Sequence, residues 1–410
     1  MDQQQQPGNG QVWVGIDIGK HAHHAAAVTA DGRLVWSRRV ANDQAAIQGL
    51  IGQATASAAA GVRWAVDSTG GSAMLLLALL AAADQPVVYV PGRVVNRMAG
   101  AFAGEAKTDP KDALVIAQTA RMRQDLLAAR PKDELVAELA VLVGHRADLM
   151  ADWVRSVSRL RGLLTSSFPG LERCFDFTSR SALVLVARYQ TPEALRAVGR
   201  RRLVGWLRRQ VPPQLSDAQV AQMAEVAMSA AAAQRIRLPA QDTTARLIAE
   251  LASDLLGLDR RIKELDKTIG QRLANHPQAP IICSLPGMGS LLAAELLVAA
   301  GDLGSFPDAG HLAAYAGLAP VPRDSGRRTN NLHPPKRYNR RLRRVFYLSA
   351  LSSLSVPGPN RDYYQRKRAQ GRRHQQALIA LARRRVDVLW ALLRDNRCFE
   401  LSAPIKTTTA

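Results

Sequence analysis

Asp109 and Asp112 stand three residues apart in the stretch Ala106-Lys107-Thr108-Asp109-Pro110-Lys111-Asp112-Ala113, at the predicted start of a helix. Side chains at i and i+3 share one helical face, so both carboxylates can approach one divalent cation if further acids join them. The same residues suit ordinary helix-start chemistry, because acids favour the first turn, Asp109 can serve as the N-cap and Pro110 fits the first helical position. The pair alone leaves both readings open.

Further acids come from the elements upstream. Val12 to Ile18 reads as a buried strand ending near Asp17, and Ala25 to Thr29 and Leu34 to Val40 follow as strands joined by the turn Ala30-Asp31-Gly32. Asn42 can cap a helix running to about Ala59, after which Val62 to Val66 forms a strand delivering Asp67. Gly70-Gly71 breaks the chain, Ser72 can cap a helix to about Ala83, and Pro86 to Val90 gives another strand. Three strands, helix, strand, helix, strand, helix is the ribonuclease-H-like order, an α/β class. Ligands gather at the carboxyl ends of strands in such sheets, so Asp17 and Asp67 are expected at one sheet edge, where the helix bearing Asp109 and Asp112 can meet them. Four carboxylates repel one another unless cations are bound. An all-oxygen donor set suits Mg²⁺ or Mn²⁺, and the chemistry such a centre performs is phosphoryl transfer. For Asp17 and Asp67 taken singly, a turn acid at a strand end is the competing reading. The tract His21-Ala22-His23-His24 lies close by, but nothing in its spacing fixes a ligand geometry, and it reads as polar positions on an exposed strand.

With 410 residues and 47% hydrophobic content, the chain can fill two or three domains with real cores. It carries 55 Lys plus Arg against 34 Asp plus Glu, a net charge of +21, which calls for a polyanionic partner, nucleic acid first. No apolar run is long enough to span a bilayer, and the start MDQQQQPGNG lacks the basic and apolar regions of a signal peptide. No membrane partner and a cytoplasmic location are therefore expected. Cys174, Cys283 and Cys398 show neither CxxC nor Cys/His spacing, so neither a disulfide framework nor a zinc site is supported.

From Val136 to about Leu164 apolar residues recur at helical spacing, and helices with loops are expected from Leu171 to Ala240. Leu247, Leu251, Leu255, Leu258, Ile262, Leu265, Ile269 and Leu273 then recur in alternating threes and fours, the mark of a coiled coil or long packing helix. Dimerisation through that stripe and packing against Val136 to Leu164 in the same chain both fit. Ser284-Leu285-Pro286-Gly287-Met288-Gly289-Ser290 then opens a helix over Leu291 to Ala300, with Gly301 as C-cap. It reads as a helix-hairpin-helix element whose glycines let backbone N–H groups approach a phosphate, although packing alone also explains such glycines. A short helix around His311 to Gly317 leads into a polar, basic loop. Between Arg323 and Arg373 there are 15 Arg plus Lys and two acids, Asp324 and Asp362. Tyr338, Phe346, Tyr347, Tyr363 and Tyr364 are interleaved among them, so phosphate contact and base stacking are both available. The contact residues expected are Arg323, Arg327, Arg328, Lys336, Arg337, Arg340, Arg341, Arg343 and Arg344. Ser325, beside a glycine in that loop, is by residue type turn chemistry.

The chain resembles the bacterial insertion-sequence transposases with an N-terminal RuvC-like DEDD domain and a C-terminal serine-bearing transposase domain, the bridge-RNA-guided recombinases. The resemblance rests on Gly15-Ile16-Asp17, Val66-Asp67-Ser68-Thr69-Gly70, Lys107-Thr108-Asp109 through Asp112, Leu285-Pro286-Gly287-Met288-Gly289, Ala313-Ala314-Tyr315-Ala316-Gly317-Leu318, Asp324-Ser325-Gly326 and Arg341-Leu342-Arg343-Arg344. It covers most of the chain and is weak in the polar tail and from Leu171 to Ala240. It implies a tail over 1–11, a RuvC-like DEDD domain over 12–130, a helical or coiled-coil region over 131–278, a mainly helical transposase domain over 279–400, and a second tail. It also implies metal ligation by Asp17, Asp67, Asp109 and Asp112 and a nucleophilic role for Ser325, which would hold a DNA strand as a covalent phosphoserine at a composite site. Donor and target DNA, a structured noncoding bridge RNA, and a homodimer or homotetramer on the bacterial nucleoid are the implied partners, with RNA pairing supplying sequence choice. One position departs from the family pattern: Asp67 stands where Glu is usual, one methylene shorter, which puts its direct ligation in question. A RuvC-type junction-resolving nuclease using activated water is the nearest rival reading. A sugar-kinase or actin-like ATPase is disfavoured by the charge and by the lack of a second Gly-rich loop, and a non-enzymatic nucleic-acid-binding protein is the blandest alternative.

Overall fold

A computed structural model describes residues 10–102, 108–129, 133–301, 303–326, 329 and 331–400. The expectations for the two tails' ends, for Ala106-Lys107 and for Arg327 and Arg328 lie outside the described residues. The chain forms two compact units, 1–133 and 134–410.

The first unit is built on one mixed sheet. Strands β1 (Val12–Asp17), β2 (Ala22–Val28) and β3 (Leu34–Ala41) form an antiparallel meander, and β4 (Val62–Val66) and β5 (Val87–Tyr89) continue the sheet in parallel, in the order β3-β2-β1-β4-β5. Four helices are interleaved: α1 (Gln44–Ala56), α2 (Met74–Ala82), α3 (Gly92–Ala99) and α4 (Asp109–Met122). Strand side chains alternate between faces. Val12, Val14, Ile16, Val62, Trp64 and Val66 are buried in one cluster with Ile47, Leu50 and Leu76 of α1 and α2. Ala65 is buried on the other face with Val95 of α3 and Val115, Ile116 and Ala120 of α4.

What seats α4 on the sheet is Gly15. A Cβ there would fall 2.2 Å from the Ala117 nitrogen and 2.4 Å from the Ala113 oxygen, so helix backbone lies directly on strand backbone. At the other end of the sheet, Gln118 Nε2 donates to the Gly32 carbonyl at 2.5 Å and Arg121 Nη1 to the Ala30 carbonyl at 3.0 Å. These contacts set the helix antiparallel to β1, with its first turn over the carboxyl ends of β1 and β4.

Four local expectations are corrected. Ser72 does not cap α2, because it lies within the 3-10 turn Gly71–Ala73, and the residue before the helix is Ala73, with no side-chain cap. The cap of α1 is Asp43, whose side chain accepts from the Ala46 N–H at 2.9 Å. Asn42 is otherwise engaged, its Oδ1 with His23 Nε2 at 3.1 Å and its Nδ2 donating to the Lys20 carbonyl at 3.2 Å. The N-cap of α4 is Thr108, so Asp109 is already helical and Pro110 follows it in the first turn. Strand β2 starts at Ala22 rather than Ala25, which takes His23 and His24 into the sheet, His23 buried and His24 half-buried, instead of leaving them on an exposed strand.

The second unit is helical. The long helices α5 (Glu134–Ser167) and α11 (Gln241–Leu273) pack against each other within the chain, and α6 (Pro169–Cys174), α7 (Arg180–Arg188), α8 (Pro192–Val198), α9 (Arg200–Gln210) and α10 (Asp217–Ala233) connect them. The buried seam of α11 is Ile248, Ala252, Leu255, Ile262, Ile269 and Leu273. Leu255, Ile262, Ile269 and Leu273 of the expected stripe lie in this seam, whereas nearer the start of the helix it runs through Ile248 and Ala252 and leaves Leu247 exposed. Then come α12 (Ala279–Ser284), α13 (Ser290–Ala300), α14 (Ala309–Tyr315), the hairpin β6 (Val321–Pro322) and β7 (Leu332–His333), α15 (Arg340–Ser352), α16 (Pro359–Ala369) and α17 (His374–Arg394).

The turn between α12 and α13 is held from beneath. Gly287 has φ +77, and a Cβ there would lie 2.6 Å from the Ser349 oxygen. The buried Arg385 donates to the Pro286 carbonyl and to Ser349 Oγ, both at 2.6 Å. Burial lowers the Arg385 pKa to about 10, so it remains a cation at neutral pH.

Gly15→Ala forces a methyl group into backbone atoms that have no rotamer to move away, which is costlier than crowding a side chain. It is expected to destabilise the first unit by at least about 1–3 kcal/mol, read as a lowered urea midpoint. An unchanged midpoint would show that α4 does not rest on β1.

Candidate catalytic and nucleic-acid-binding sites

In the first unit the register places the acids. Ile16 pairs with Val66 across the parallel β1–β4 ladder, so Asp17 and Asp67 are the next residues on adjacent strands. Both fall, by alternation, on the face with Gly15 and Ala65, under α4. Asp17 and Asp67 are half-buried, while Asp112 is half-buried and Asp109 exposed on the first turn of that helix. The acids are thus brought to one sheet edge and one face. Among the described residues, however, no three His, Cys, Asp or Glu side chains are drawn into a group that could hold a metal ion.

One neighbour was read from the sequence only as a polar position on an exposed strand. His24 is the antiparallel partner of Asp17 and shares its face. Its Nε2 lies 2.8 Å from Ser37 Oγ. Burial holds its pKa below the usual imidazole range, opposed by the negative charge of Asp109, which places α4's first turn within electrostatic reach of β2. The signal was available in the alternation of β2, but only once the strand's start was known. His23 points to the other face, and its pKa is lowered by burial against the opposing effect of its bond to Asn42.

The donor set is carboxylate oxygen, with one imidazole beside it, and such a set fits a hard divalent cation. The helix N-terminus adds partial positive charge where Asp109 and Asp112 stand.

In the second unit Ser325 is exposed in the β6–β7 hairpin. Asn331 clasps the hairpin: its N–H donates to Asp324 Oδ1 at 2.8 Å, its Nδ2 to the Arg323 carbonyl at 3.2 Å, and its carbonyl accepts from the Arg323 N–H at 2.9 Å. Gly326 turns the chain with φ +56. Arg323, Lys336, Arg337, Arg340, Arg341 and Arg344 are exposed and Arg343 is half-buried, so the basic run is at the surface, as expected. Of the aromatics, Phe346 is buried in the core and is not available for stacking, whereas Tyr338, Tyr347, Tyr363 and Tyr364 are half-buried.

The fold and the two residue sets fit a nucleic-acid-processing enzyme, with acids at the ends of adjacent strands and a basic surface on the helical unit. Comparison with known proteins gives the family. Residues 14–169 match the DEDD transposase model of the IS110 group, and residues 279–365 match the model described as transposase IS116/IS110/IS902 family. The chain is 52% identical to a 44.8 kDa protein of insertion element IS116 from Streptomyces clavuligerus, over 97% of this chain and 98% of that one. It is 45% identical to a 42 kDa protein of insertion element IS900 from Mycobacterium paratuberculosis, over 97% and 99%. It is also 31% identical to a pilin gene-inverting protein from Moraxella bovis, over 34% of this chain and 45% of that one. The chain belongs to the IS116/IS110/IS902 transposase family and is a transposase.

Asn339 ties the basic helix to its surroundings. It caps α15 by accepting from the Leu342 N–H at 3.1 Å, and its Nδ2 donates to the Ala299 carbonyl at 3.0 Å. Asn339→Ala is expected to cost about 1–2 kcal/mol, measurable as a fall in thermal midpoint. No change would show that α15 is held by packing alone.

Proposed function

We propose that this transposase cleaves and rejoins DNA strands using the acids of a RuvC-like, ribonuclease-H-like domain together with Ser325. The single observation that supports the reading is the seat of α4 on Gly15, which directs the first turn of the helix, with Asp109 and Asp112, toward the carboxyl ends of β1 and β4, where Asp17 ends one strand and Asp67 follows the other. Asp17, Asp67, Asp109 and Asp112 are the residues that would hold Mg²⁺ or Mn²⁺, which supplies Lewis-acid stabilisation of phosphate charge. The shorter reach of Asp67 is compatible with this role because its strand end lies beside that of Asp17.

Ser325 Oγ attacks a phosphodiester phosphorus, its proton passing to a base, and the bond from phosphorus to the sugar oxygen breaks, that oxygen taking up a proton from the protonated base or from water and leaving as a hydroxyl. The strand is then held as a phosphoserine ester until a second hydroxyl attacks and frees the serine. A neutral serine is a weak nucleophile and needs such activation, and Arg323 beside it can stabilise the charge that develops on phosphate. Exposure of Ser325 on a clasped hairpin supports this role. The surface arginines support contact with DNA and with a structured guide RNA, whose pairing would choose the sites, and a homodimer or homotetramer would supply two or more cleavage centres.

Two measurements test this reading. Protein incubated with DNA, Mg²⁺ and copurifying RNA, then denatured, is expected to yield a protein–DNA adduct that disappears in Ser325→Ala. An adduct that persists removes the serine from the chemistry, and free cleaved ends with no adduct favour water as the nucleophile. Separately, Mg²⁺ or Mn²⁺ is expected to raise the melting temperature of the unmodified protein, by about 2.7 kcal/mol of stabilisation at a hundred times Kd. Asp17→Asn is expected to remove that gain and, by relieving repulsion between carboxylates, to melt no lower in chelator. An equal metal-dependent gain in Asp17→Asn would sink the metal site.

A further inference from the structure

The basic surface contains one shaped feature. Gly317, just past α14, has φ +70, and a Cβ there would fall 2.3 Å from Tyr338 Cγ. The tyrosine ring therefore packs straight onto main chain. Arg343 lies over that ring, its guanidinium carbon 4.6 Å from the centroid, and its Nη1 donates to the Gly317 carbonyl at 2.7 Å. One glycine thus receives the ring and anchors the cation, so the stack is built before any ligand arrives, which lowers the ordering cost of binding.

From α15, Arg340, Arg343, Arg344, Tyr347 and Leu348 follow at three- and four-residue intervals and share one helical face. With Tyr338 they line an open concavity of about 360 Å³, within the range of small-ligand sites. Arg344 is paired with Glu295, whereas among the described residues no carboxylate pairs with Arg340. The concavity keeps a positive excess beside two flat surfaces, a guanidinium plane already backed by a tyrosine and a second tyrosine one turn along. Flat groups flanked by phosphate are what such a lining accepts, because unstacked bases bind to aromatic rings and Arg planes. A base inside a duplex has its faces covered by its neighbours and must be extruded before a pocket can take it.

We propose that this concavity binds one unpaired nucleotide of the nucleic-acid substrate, with the base against Arg343 and Tyr347 and the adjoining phosphate on Arg340. The proposal rests on the reading that the second unit contacts nucleic acid. It goes further in making that contact selective for loops, bulges or displaced strands over paired ones.

Fluorescence titration of the full chain with oligonucleotides carrying 2-aminopurine, single-stranded or fully paired, tests it. The unmodified protein is expected to quench the single-stranded probe. Arg343→Lys keeps the charge and loses the plane, and Tyr347→Ala loses the ring. Each is expected to weaken single-strand binding roughly ten-fold and to reduce the quench, with a much smaller loss of duplex affinity. Tyr347→Phe is expected to restore binding, and circular dichroism melting of each variant verifies the fold. Equal losses on both probes, or an undiminished quench in both Arg343→Lys and Tyr347→Ala, overturn the proposal and leave a general phosphate surface. Failure of the unmodified chain to bind either probe instead defeats the underlying nucleic-acid reading.

Discussion

The close contact of helix backbone on strand backbone at Gly15 is the constraint on which the first unit depends. Without a side chain at that position, α4 lies against β1 at Ala113 and Ala117, and its direction is fixed by Gln118 and Arg121 gripping the β2–β3 turn. Once helix height and direction are set, the first turn has one place to go, over the carboxyl ends of β1 and β4. The chemistry of that edge is thus decided two residues before Asp17, by a residue with no functional group. Gathering acids there is electrostatically unfavourable in itself, and the helix N-terminus offsets only part of it. In the proposed function a divalent cation would add to that compensation.

The second unit uses the same device for another purpose. Gly287 and Gly317, both in left-handed conformations, let main chain approach Ser349 and the ring of Tyr338 respectively. In one case the contact fixes a turn that Arg385 also holds. In the other it fixes an aromatic and the arginine stacked on it. Gly287, one of the glycines the sequence offers for phosphate approach, is therefore committed to packing, as is Gly317.

Much of the first unit was legible because its signals are local. Strand runs, the turn at Gly32 and the strand-end position of Asp67 each depend on a few consecutive residues. What was not legible depends on pairing at a distance. His24 belongs to the acid-bearing face only because β2 starts three residues early to match Asp17, and no residue in the histidine tract announces that. Asn42 looked like the cap of α1, but its amide is taken by His23 and Lys20, leaving Asp43 to cap. In the second unit the heptad stripe of α11 was evident, but Leu247 and Ile248 are both apolar, and the choice between them is made by the partner helices. Phe346 and Tyr347 posed the same problem, one buried in the core and the other at the surface, because periodicity alone does not say which side of α15 faces inward.

The acids and the serine are held in unlike ways, and the difference bears on how each can act. Asp17 and Asp67 end strands inside a five-stranded sheet, where neighbouring strands and a helix fix the backbone. Ser325 stands in a hairpin whose strands are two residues each, far too short for a ladder to be stable by itself. Its order comes instead from Asn331, which closes the loop through Arg323 and Asp324 with main-chain and side-chain bonds. A clasp of three hydrogen bonds is worth a few kcal/mol at most, so the serine's surroundings can be remodelled by a charged ligand at modest cost, whereas the sheet edge cannot. That asymmetry would suit the role proposed for Ser325, a nucleophile that engages, releases and re-engages a strand, and the role proposed for the acids, whose backbone the sheet holds fixed.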